Sequence, residues 1–86
     1  MAFLNRRDQG TSVSAHLVYG ETPSGATDGT NASFVTASTI VSSAIDVFLN
    51  GAYQSLTIDY TLSGSNTVVF NDPPQPGDII RVDYIK

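Results

Sequence analysis

The sequence has no cysteine, no tryptophan, one lysine (Lys86) and one glutamate (Glu21). Without cysteine, neither a disulfide nor a thiolate metal site can supplement the core. No apolar run approaches the ~20 residues that a membrane-crossing helix needs, and no signal-peptide apolar region is evident. Charged residues are only 14% of the chain, about half the usual share. The formal net charge of −4 argues against a protein that coats nucleic acid. Straight-chain helix formers are scarce, with three glutamines and one methionine, and this speaks against a coiled coil.

What is present favours strands. Nine threonines, ten serines, and a supply of valine, isoleucine and aromatics suit a pleated, half-buried surface. Seven glycines and four prolines provide turns. At 86 residues there is room for one domain with a thin core.

Charge is unevenly placed. Residues 1–10 hold Arg6, Arg7 and Asp8, a net of +1, whereas residues 11–86 set Arg81 and Lys86 against seven acids, a net of −5. We read residues 1–11 as an N-terminal arm and residues 12–86 as the domain.

Alternation predicts a strand over residues 12–19, with Val13, Ala15, Leu17 and Tyr19 inward and Ser14, His16 and Val18 outward. Residues 20–33 have no apolar period and form a long loop. A short strand follows over Phe34 to Ala37. Residues 44–49 alternate, with Ile45, Val47 and Leu49 on one face and Asp46 and Phe48 on the other. Asn50-Gly51 then predicts a tight hairpin returning through Ala52–Gln54, because both positions tolerate the positive φ of a type I′ turn. Residues 58–62 and 67–70 form a second hairpin around Ser63–Asn66. Gln75–Asp78 fits a type II turn. The last strand covers residues 79–85, with Ile80, Val82 and Tyr84 on one face. The expectation is an all-β fold: a small antiparallel β-sandwich or partly open barrel of six to seven short strands.

These segments, taken in order, read E-x-P-S-G-x-x-D-G-x-N-x-x-F from Glu21, then V-F-L-N-G-x-x-Q, D-Y-T-L-S-G-x-N-T-V-V-F, and P-P-Q-P-G-D-I-I-R-V-D-Y up to Tyr84. This resembles a small β-sandwich module of tailed-bacteriophage virion proteins, over about three quarters of the chain. The resemblance implies a structural and attachment unit of a tail fibre, head fibre or capsid decoration. It implies no enzymatic role, a location in the virion, and oligomers, with a trimer expected by analogy.

The side chains give little sign of catalysis. His16 is the only imidazole, and alternation puts it on a polar face. Nothing places two of Asp46, Asp59, Asp72, Asp78 and Asp83 in one cleft, as a glycosidase requires. The oxygen-rich loops Thr27–Asn31 and Asn71–Asp78 lack a calcium-loop ligand series. The glycosylation triplet Asn31-Ala32-Ser33 is short enough to be incidental. We nominate no catalytic, cofactor or metal residue.

The informative residues are apolar ones on faces that should be wet. Val18, Phe48, Ile79 and Ile85, together with Tyr53 beside the Asn-Gly turn, are candidate interface residues. In the arm, Phe3 and Leu4 offer an apolar anchor and Arg6 and Arg7 two bidentate donors. The expected partners are further copies of the chain and other virion proteins of capsid, portal or tail, not nucleic acid or membrane. A glycan is the alternative ligand, in a receptor- or carbohydrate-binding module of a tail fibre. Tyr19, Tyr60 and Tyr84 fall in inward registers, which leaves Tyr53 as the exposed tyrosine for it.

Overall fold

The computed structural model describes residues 17–41 and 45–86. Among them there is no helix. Seven strands are present: β1 (Leu17–Glu21), β2 (Ser33–Val35), β3 (Ile45–Leu49), β4 (Ala52–Gln54), β5 (Tyr60–Ser63), β6 (Thr67–Phe70) and β7 (Ile80–Ile85). They form two antiparallel sheets, ordered β1-β7-β3-β4 and β2-β6-β5. Neither sheet closes into a barrel, so of the two expected architectures the protein adopts the sandwich.

One core lies between the sheets. Ile45, Val47, Ile80, Val82 and Tyr84 from the first sheet meet Phe34, Tyr60, Val68 and Phe70 from the second. Phe34 and Phe70 pack edge to face with ring centroids 5.7 Å apart, the arrangement that the ring quadrupoles favour. Full burial of a Val or Phe side chain stabilises by about 1.5–3 kcal/mol, so these few residues carry the fold.

The turns follow their residues. Asn50 and Gly51 both have positive φ, at 52° and 84°, and set the β3–β4 register with Leu49 opposite Ala52 and Phe48 opposite Tyr53. The Asn50 side chain also pins the next connection. Its Nδ2 donates to Asp78 Oδ1 at 3.0 Å, and Ile79 N donates to its Oδ1 at 2.8 Å. Gly77 takes φ 91° and Asp78 N donates to Gln75 O, as the expected type II turn requires.

Two connections lace the sheets together. After β2, Thr36 N donates to Asn66 O and Ile40 N to Ser65 O, while Val41 N donates to Ile85 O across the sandwich. Glu21 joins the same side, accepting from the Tyr84 hydroxyl at 2.8 Å and from Ala37 N at 2.8 Å. In the long loop, Gly25 lies under Phe34. A Cβ there would come within 2.5 Å of the Phe34 ring, at a backbone φ of 155° that side chains rarely adopt.

Three expectations are corrected. Of the predicted strand over residues 12–19, residues 12–16 lie outside the described residues, and β1 runs on to Glu21. Its facing is reversed: Val18 stands opposite the buried Tyr84 and packs on the core, whereas Tyr19 is 73% exposed. Leu17 and Tyr19 weigh about as much as Val18, so alternation within β1 could not decide its face; pairing with β7 does. The register shift between Val18 and Glu21, with Gly20 at φ 66°, then breaks the regular alternation. Next, the strand expected from residue 58 begins at Tyr60, because Thr57 turns the chain at φ 72°. Finally, the strand expected over residues 34–37 is shifted to Ser33–Val35; Thr36 N still donates to Asn66 O, next in the β2–β6 register, while its hydroxyl donates to Ser38 O as the chain turns away.

Candidate interaction surface

The outward residues of the four-stranded sheet come from all of its strands. Leu17 faces Ile85 across the β1–β7 pair. Asp46 stands opposite Asp83, and Phe48 opposite Arg81, across β3–β7. Phe48 also meets Tyr53, edge to face, with centroids 5.9 Å apart. A shallow trough of about 540 Å³ crosses this face in strand order, from Tyr19 past Asp83 and Asp46 to Tyr53 and Leu56. Its middle is acidic and its ends are aromatic or aliphatic.

Local bonds fix these groups. Asp83 Oδ1 accepts from Gly20 N at 2.6 Å, so the bulge in β1 holds that carboxylate at the trough. Arg81 is directed elsewhere, with its Nη1 donating to Thr22 Oγ1 at 2.7 Å and to Ile80 O at 3.1 Å. Tyr60 lies at the trough's edge with its ring in the core, and burial pushes its phenol above the ordinary value.

Beyond β4 the trough meets a pinned turn. Ser55 N donates to Asp59 Oδ2 at 2.7 Å and Asp59 N to Ser55 O at 2.8 Å. Thr57 N donates to Tyr60 O, and Asn71 Nδ2 donates to Ile58 O at 2.6 Å. These bonds hold a β-branched residue, Thr57, in left-handed backbone, a conformation that costs on the order of 1–3 kcal/mol and persists only when its surroundings over-determine it. The turn keeps Leu56 and Ile58 in water, Ile58 at 73% exposure.

Of the nominated interface residues, Phe48, Tyr53 and Ile85 are gathered on this face. Ile79 is exposed but sits at the other end of the molecule, against the Asn50 turn. Val18 belongs to the core side. Phe3, Leu4, Arg6 and Arg7 lie outside the described residues, as does His16. The sequence reading missed Tyr19, Leu56, Ile58 and the facing of Asp46 against Asp83. The last was legible only from strand pairing, since the two stand far apart in the chain.

In the two oxygen-rich loops, Asp28 and Asp78 are engaged in hydrogen bonds. Asp28 Oδ1 accepts from Asn31 N at 2.8 Å and Thr30 N at 2.9 Å, and these bonds hold its carboxyl below the ordinary aspartate value. Asp78 is likewise lowered, first by Asn50 Nδ2 and then by Gln75 N. Among the described residues, no three of His, Asp and Glu come together as a metal site would need.

Comparison of the chain with protein-family models, with curated proteins and with solved structures finds no match.

Proposed function

We propose that this chain is a non-enzymatic structural protein of a bacteriophage virion, a component of a fibre, capsid decoration or other appendage. It self-associates and docks on a capsid or tail protein. The observation that carries the reading is the set of large apolar side chains held in water by ordered strands and a strained turn. Tyr19, Tyr53, Leu56, Ile58 and Ile85 are all exposed, and all but Ile58 line the trough. Such side chains, gathered at the two ends of one trough, are exposed at a cost in solubility, which a contact surface repays. The motif resemblance from Glu21 to Tyr84 supplies the virion context, and the trimer rests on analogy with appendages. Light scattering on the purified chain, with mass spectrometry of purified particles, tests this. An oligomer and a virion-borne chain are expected. A monomer at every concentration, absent from particles, contradicts it.

One observation favours a second reading. Tyr19 and Tyr53 flank two carboxylates, and aromatic faces beside acidic acceptors suit a sugar ring. In a carbohydrate-binding module, Tyr53→Ala abolishes binding on a glycan array while the fold is kept. No glycan retained by the wild type removes this reading.

A further inference from the structure

We propose that the acid pair Asp46–Asp83, walled by Tyr19 and Tyr53, receives the segment Phe3–Arg7 of a second copy of this chain. The inference rests on the reading of the protein as a self-associating unit, and it names the contact.

Asp83 accepts from Gly20 N, a task that an uncharged side-chain oxygen would serve as well and that does not call for a second acid beside it. Asp46 and Asp83 occupy directly opposed positions on adjacent strands, where like charges destabilise a sheet. Such a cost is retained where a cation is to be bound. Of the four cations in the chain, Arg81 is spent on Thr22 and Ile80, and Lys86 offers a single ammonium without the planar fork of a guanidinium. Arg6 and Arg7 remain, adjacent in sequence and preceded by Phe3 and Leu4. Guanidinium is planar, pairs with carboxylates through two parallel hydrogen bonds and stacks on aromatic rings. The trough offers carboxylates between two tyrosines, with Leu56 and Ile85 as apolar borders for Phe3 and Leu4.

Strand direction favours another copy as the donor. β1 lies antiparallel to β7, with Glu21 beside Val82 and Leu17 beside Ile85. Towards Leu17, β1 therefore heads away from Asp83, and the chain's own segment would have to double back to reach the pair. A neighbour's segment carries no such constraint. A chain bearing both a positive segment and a negative trough joins its copies head to tail, and such contacts form a ring where the rotation between copies closes and a filament where it does not.

Sedimentation velocity on the full chain and three variants decides the matter. Asp46→Asn/Asp83→Asn and, separately, Arg6→Glu/Arg7→Glu are expected to weaken self-association by roughly 10- to 100-fold, the scale of losing close charge pairs at an interface. The first variant is expected to melt no lower than the wild type, because it removes a repulsion and leaves at position 83 an amide oxygen that still accepts from Gly20 N; lost association is then not lost folding. Combining Arg6→Glu/Arg7→Glu with Asp46→Lys/Asp83→Lys in one chain is expected to restore association. A nitroxide on Gln9→Cys, the sole thiol, should broaden the Tyr53 amide of unlabelled, isotope-enriched copies mixed with it. A wild type that is monomeric throughout defeats the self-association reading itself. A wild-type oligomer indifferent to these changes, or broadening confined within the labelled chain, overturns this inference alone.

Discussion

The outer faces of the two sheets are built from opposite materials. On the three-stranded sheet the outward positions are Ser33, Val35, Thr61, Ser63, Thr67 and Val69, matched in pairs across β2–β6 and β5–β6. These are small side chains, four of them hydroxyls, and none is charged. On the four-stranded sheet the outward positions carry tyrosines, Phe48, Arg81 and two opposed aspartates. The core between the two inner faces, by contrast, is built from one apolar cluster, with Glu21 and Gln54 at its border. A sheet that only needs to stay soluble finishes its wet side with threonine and serine, which pair across strands and favour β structure. The four-stranded sheet departs from that solution, with like charges opposed across β3–β7, and the proposed contact surface lies on this departing face.

The contrast presumes one shared core, and removing its centre gives the largest effect. Phe34→Ala deletes the partner of Phe70 and is expected to cost about 3–5 kcal/mol. Urea unfolding should then show both sheets lost in a single lowered transition. Separate transitions would mean that the two faces belong to independent units.

The connections between the sheets come next. Gly25→Ala drives a Cβ into the Phe34 ring and is expected to cost about 1–3 kcal/mol, as overpacking does. On the opposite side, Thr57→Gly relieves a left-handed β-branched residue and should stabilise by up to about 1 kcal/mol. Thermal unfolding reads both. If Thr57→Gly gains stability yet weakens self-association, the strain serves to present Leu56 and Ile58. A destabilised variant would show that no strain is stored there.

The smallest effect is that of acid. Asp28 and Asp78 are both held below the ordinary aspartate value of about 3.9 in the folded protein. Their contribution is therefore complete above that value and fades as the pH falls through their lower folded values. Unfolding midpoints should be level above about pH 5 and fall below about pH 4. Asp78→Asn should flatten part of that slope. A midpoint that rises on acidification would contradict the sign.

Much of this architecture was legible in the chain. Asn50-Gly51 fixed one hairpin, and the apolar alternation of Ile80, Val82 and Tyr84 named the core face of β7 correctly. The facing of β1 was not legible, because Leu17, Val18 and Tyr19 are all apolar and only the partner strand decides among them. Nor was the exposure of Ile58, which depends on Asn71 bonding the turn from thirteen residues away. The candidate surface was half visible. Phe48, Tyr53 and Ile85 stood out as apolar residues on wet faces, whereas the Asp46–Asp83 pair exists only in the register of β3 against β7. Periodicity reports which face a residue takes; it is silent on which strand lies alongside.

Hydroxyl-radical footprinting of the side chains, run at concentrations below and above the onset of self-association, addresses the difference between the faces most directly. The account predicts that Tyr19 and Tyr53 become protected at high concentration while Val35 and Val69 keep their reactivity. Protection that falls on Val35 and Val69 instead, or equally on both faces, would contradict it.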